Sequence, residues 1–100
     1  MMRRMTVLAY KPALTSALDH AGLPSGARAF IFGSSARRDY FHDIDVGVIG
    51  AGSAPKALTA LRDNLYDAPI PYKVDVVDFD TADQDFTTYV FKNEPLIWIR

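Results

Sequence analysis

Two short apolar runs constrain this chain more than any other feature: Ala29-Phe30-Ile31-Phe32, which ends in Gly33, and residues 44–49, which Asp45 and Gly47 interrupt. Each run is too short to be an amphipathic helix and too continuous for a strand with one wet face. Both suit strands covered on two sides. Strands of that kind need helices to cover them, and the flanking sequence supplies candidates. Over residues 10–21 the positions Ala13, Leu14, Ala17, Leu18 and Ala21 recur at helical spacing, with Pro12 tolerated in the first turn and Gly22 followed by Pro24 as a stop. A second helix is expected after Gly50-Ala51-Gly52-Ser53-Ala54-Pro55, with Ser53 near its N-cap, an apolar stripe of Leu58, Leu61, Leu65 and Tyr66, and Lys56, Arg62 and Asp63 in water.

The remaining elements follow the same logic. Residues 72–79, with Val74, Val76 and Val77, read as a third strand. Residues 86–92 read as a short helix, and residues 96–99, introduced by Pro95, as a last strand or docked tail. This order of helices and strands is an α/β (α+β) one, so the expected architecture is a small mixed β-sheet with helices packed on it.

Length and composition bound what such a fold can do. The 100 residues, 49% hydrophobic and 23% charged, fit a single domain over residues 1–100. A net charge of -1 supplies no basic field, so direct nucleic-acid binding is not expected. There is no cysteine, which excludes disulfides and thiolate chemistry. The start Met1-Met2-Arg3-Arg4-Met5 is cut off by Tyr10-Lys11-Pro12 before reaching signal-peptide length and reads as a mature terminus. No run approaches the roughly 18 apolar residues of a membrane span. A soluble, cytoplasmic protein is the expectation.

Eleven of the twelve acidic residues are aspartate, so Asp-x-Asp triplets carry little information by themselves. Three occur. Asp78-Phe79-Asp80 and Asp83-Gln84-Asp85 border a polar connector and are expected in turns and caps. Asp43-Ile44-Asp45 differs because it opens an apolar strand, whose two-residue period puts both carboxylates on one face. Two anions so placed repel unless a cation lies between them, and oxygen ligands of this kind suit Mg²⁺. Asp75, set among valines, would be costly to bury without a partner and offers a third carboxylate from a neighbouring strand.

Ahead of these strands stands Ile31-Phe32-Gly33-Ser34-Ser35-Ala36-Arg37-Arg38, a strand end turning into one or two helical turns. Gly33 allows backbone to approach a phosphate, Ser34 offers a hydroxyl, and Arg37 or Arg38 can add charge-assisted bonds. The glycine spacing and lysine of a Walker loop are absent. His42 beside Asp43 reads as a solvated or outer group before a general base. His20 suits the C-terminal end of the first helix. Tyr40, Phe41 and Trp98 divide between core filling and contact roles.

Gly33-Ser34, a short basic segment, Asp43-Ile44-Asp45 and Asp75, in this order, resemble the minimal nucleotidyltransferases of the DNA polymerase β superfamily. The resemblance runs from about residue 30 to residue 77. It implies transfer of AMP from ATP to a hydroxyl, with Asp43, Asp45 and Asp75 as metal-binding and catalytic carboxylates for two Mg²⁺ ions. Gly33, Ser34 and Arg37 would grip the triphosphate. The stretch between Ser34 and Asp43 is about two residues shorter than the family's usual spacing, Arg38 stands where a glycine is common, and His42 where a serine is common. Stand-alone members resemble antitoxins whose partner is a small helical HEPN-type toxin, modified on a tyrosine. That implies a hetero-oligomer or homo-oligomer that completes the acceptor site. Two other readings are a catalytically silent module that neutralises a partner by contact, and nucleotidyl transfer to a small molecule.

Overall fold

A computed structural model of the chain describes residues 6–52 and 54–100. The elements are a 3₁₀ turn (Val7–Tyr10), α1 (Lys11–Asp19), β1 (Arg28–Phe32), α2 (Ser34–Arg37), β2 (Asp43–Ile49), α3 (Pro55–Asp67), β3 (Lys73–Asp78), α4 (Gln84–Asn93) and β4 (Ile97–Trp98). The sheet order is β3-β2-β1-β4, with β1 antiparallel to both β2 and β4, and β2 parallel to β3. The expected small mixed sheet with packed helices is therefore the observed fold. The Ser53 cap and the Met1–Met5 terminus lie outside the described residues.

β1 and β2 are the two central strands, which accounts for the continuous apolar runs in both. Alternate residues divide between two cores. Ala29, Ile31, Ile44, Val46 and Val48 point to one face and pack with Leu14 and Leu18 of α1 and Leu58, Leu61 and Leu65 of α3. Phe30 and Phe32 point to the other face, where Phe79, just after β3, and Val90 of α4 close a second, aromatic core. β3 is an edge strand, so its valines are only half buried, as an edge strand's side chains must be. Tyr66 departs from the expected stripe of α3. It is 91% exposed, because it lies one residue beyond Leu65 and points off the buried face.

Gly47 makes the aromatic core possible. It sits opposite Phe30 in the register, and a Cβ there would lie 2.5 Å from Phe30 Cζ and 2.6 Å from Phe79 Cε1. The Phe30 ring in turn contacts Phe79, Phe91 and Trp98, with ring centroids 5.0, 5.4 and 4.9 Å apart. The interruption in the second apolar run is thus a packing requirement for α4.

The two remaining acidic triplets serve the backbone, as expected. Asp80 accepts hydrogen bonds from the Gly50 and Gly52 amides at 3.0 Å each, pinning the loop between β2 and α3. Asp78 accepts from the Asp80 amide at 3.0 Å. Asp83 caps α4 by accepting from the Asp85 and Phe86 amides, which starts that helix at Gln84, two residues before the expected residue 86. Among the described residues no helix is long and apolar enough to cross a membrane.

Replacing Gly47 by alanine should overpack the aromatic core and cost about 1–3 kcal/mol of stability, read as a lower denaturant midpoint with an unchanged slope. An unaltered midpoint would show that α4 does not need the gap.

Candidate active site

The sheet register assembles the candidate residues on the face that carries α4. Asp45 pairs with Phe32 on β1 and with Asp75 on β3, and Asp43 pairs with Lys73. In a sheet, residues opposite one another share a face, so the carboxylates of Asp43, Asp45 and Asp75 project to the same side as Phe30 and Phe32. The aromatic core occupies one end of that face and the carboxylates the other. α4 covers the first and leaves the second open.

Gly33, at the end of β1, has φ 76° and ψ -157°, a region essentially closed to other residues. A Cβ at this position would stand 2.5 Å from Asp45 Oδ2. The turn and the central carboxylate are therefore in direct contact, and the space between them exists only because residue 33 has no side chain. Gly33 also accepts the amides of Ala36 and Arg37 through its carbonyl, which folds residues 34–37 into the single turn of α2. Ser34 is half-buried at the start of this turn. Ser35 beside it is 2% exposed, and its hydroxyl has no hydrogen-bond partner among the described residues.

The charges are unevenly distributed. Burial pushes the Asp45 carboxyl above the usual carboxylate range, and the charges of Asp75, Asp43 and Glu94 push it further. Lys73 Nζ lies 3.5 Å from Asp75 Oδ1, an exposed pair of small energetic weight. Arg37 donates from Nη1 to both oxygens of Glu94, at 2.5 and 2.7 Å. His42 is exposed. Phe41 is buried against Tyr72, ring centroids 4.7 Å apart, and so fills core. Trp98 packs tilted against Phe30 while remaining 37% exposed, with the Arg28 guanidinium 4.2 Å from the centre of its ring. His20 stands at the end of α1, Nδ1 2.8 Å from the Ser16 carbonyl.

Among the described residues no three acidic or histidine side chains close into a metal cage. An open arrangement nevertheless suits Mg²⁺, which takes one or two carboxylates and completes its octahedron with water and phosphate oxygens. The repulsion felt at Asp45 is the repulsion that a divalent cation relieves.

The family profile described as polymerase beta, nucleotidyltransferase matches residues 24–100, from just before β1 to two residues past β4. The chain belongs to that family. A search of curated proteins finds no match. As a polymerase β-type nucleotidyltransferase the protein has the domain for nucleotidyl transfer, a chemistry that in this family typically uses a nucleoside triphosphate and a divalent metal. Glu94, which sequence reasoning missed, pairs with Arg37 across 57 positions of sequence, and nothing local to it signals that contact.

Asp45 holds its proton to higher pH in the folded chain than in the unfolded one. The folded state therefore binds the extra proton between the two pKa values, and stability falls as pH rises through that window. Asp45→Asn should raise the melting temperature of metal-free protein at neutral pH, with the gain shrinking as pH is lowered into the carboxylate range. A neutral or lower melting temperature at pH 7 would contradict the repulsion.

Proposed function

We propose that the protein is a Mg²⁺-dependent minimal nucleotidyltransferase that transfers AMP from ATP to a tyrosine hydroxyl of a small helical HEPN-type toxin, and so acts as its antitoxin. The observation that carries the reading is the position of Asp45, in register with Asp75 on one side and against the Gly33 backbone on the other. One residue thus joins a candidate triphosphate turn to a candidate metal face, which an ordinary strand aspartate does not do.

In this reading Gly33, Ser34 and Arg37 bind the β- and γ-phosphates, and the carboxylates of Asp43, Asp45 and Asp75 hold two Mg²⁺ ions. The ions supply positive charge where the phosphates gather negative charge. The acceptor oxygen attacks the α-phosphorus. A new oxygen–phosphorus bond forms as the bond to the bridging oxygen breaks, pyrophosphate leaves with that electron pair, and the hydroxyl proton passes to the Asp75 carboxylate on the edge strand. The assignment of this role to Asp75 is supported by the position of β3, which among the described residues is an edge strand that an acceptor can approach. A partner protein that presents the hydroxyl completes the site, and ATP as donor fits a cytoplasmic setting.

The stretch between Ser34 and Asp43, shorter than is usual in the family, favours, as a second reading, a silent module that neutralises its partner by contact. The two separate cleanly. With labelled ATP, Mg²⁺ and the co-expressed product of the adjacent gene, the enzyme should leave an AMP adduct on a partner tyrosine. Asp43→Asn should lower that transfer by about a hundredfold or more and abolish neutralisation. Neutralisation that survives Asp43→Asn, with no adduct by mass spectrometry, would establish the silent module.

A further inference from the structure

Glu94 is the only glutamate among the twelve acidic residues. It caps the C-terminal end of α4, its amide bonded to the Val90 carbonyl and Pro95 following it. Its side chain is 12% exposed, and both oxygens accept from Arg37 Nη1 across 57 positions of sequence. A carboxylate this buried is costly without a cation, so the pair fastens α4 to α2.

The geometry says more than fastening. Arg37 is the last residue of the one-turn helix that begins at Ser34, so its backbone is fixed to the Gly33-Ser34 turn. Glu94 engages one terminal amino group alone; among the described residues Nε and Nη2 make no hydrogen bond. Arginine's donors are arranged in a rigid fork, so a guanidinium held at one prong can serve a second anion with the others. The charge of Glu94 also adds to the repulsion at Asp45. An arginine already immobilised loses little side-chain freedom when a ligand arrives, whereas a free one loses much of it.

We propose that Glu94 is a positioning residue for the nucleotide: it holds Arg37 by Nη1 so that the remaining guanidinium donors are ready for the phosphates at the Gly33-Ser34 turn. The inference rests on the reading of that turn as the triphosphate site. It makes the docking of α4, and with it the aromatic core, a condition for nucleotide affinity, although α4 supplies no phosphate ligand itself.

The test is ATP·Mg²⁺ binding by titration calorimetry on the wild-type chain, Glu94→Gln, Arg37→Lys and the exchanged pair R37E/E94R, with a melting temperature for each. Glu94→Gln should stay folded and bind about tenfold more weakly, the size of loss usual when a supporting partner is removed. Arg37→Lys keeps the ion pair but not the second prong, so it should keep its melting temperature and lose a similar factor. The exchanged pair should recover the melting temperature without recovering affinity, because its cation now sits on α4. Wild-type affinity in Glu94→Gln or Arg37→Lys, or full recovery of affinity in the exchanged pair, would overturn the inference while leaving the functional reading in place. A wild-type chain that does not bind ATP·Mg²⁺ would overturn both.

Discussion

Asp45 lies against the backbone of Gly33, in the volume that any side chain at that position would fill, and this contact decides what the rest of the structure has to provide. A carboxylate so close to the end of β1 can exist only if residue 33 is glycine and its backbone adopts a conformation barred to other residues. The turn after β1 and the strand that carries Asp45 are thereby held in contact. A phosphate gripped at Gly33-Ser34 and a cation held at Asp45 would then be neighbours by construction, with no closing movement needed to bring them together.

Everything else keeps that unit in place or charged in the required way. The core on the α1 and α3 side sets the height of β1 and β2 through Ile31, Val46 and their neighbours. The aromatic core on the opposite side holds α4 against the face that also carries Asp43, Asp45 and Asp75, and Gly47 gives it room. α4 in turn delivers Glu94 to Arg37. The site has a cost in stability, since Asp45 sits among like charges and is partly withdrawn from water. A fold selected for stability alone would place an apolar or neutral residue there.

The parts legible in the sequence are those set by local period and composition. Ala29-Phe30-Ile31-Phe32 and residues 44–49 read as central strands because both faces of each are covered, and the period of two already placed Asp43 and Asp45 together. The cap and turn roles of Asp78, Asp80 and Asp83 followed from their polar context. What was not legible depends on tertiary distance. The antiparallel pairing of β1 with β2, the contact of Asp45 with Gly33 and the capture of Arg37 by Glu94 all join residues whose neighbourhoods in sequence carry no mark of one another. Tyr66 is misplaced by a simple stripe because one residue of rotation carries a helical side chain off the buried face, and its amphipathic ring permits either environment.

The central claim is that Asp43, Asp45 and Asp75 form a metal face beside a triphosphate turn, and it is tested most directly by electron paramagnetic resonance of Mn²⁺ added with a non-hydrolysable ATP analogue. Mn²⁺ favours the same oxygen ligands as Mg²⁺. The account predicts that the free Mn²⁺ signal falls when wild-type protein and nucleotide are both present, and that Asp45→Asn, though folded, leaves the signal close to that of nucleotide alone. Equal loss of free Mn²⁺ with wild-type and Asp45→Asn protein, or no loss with either, would contradict it.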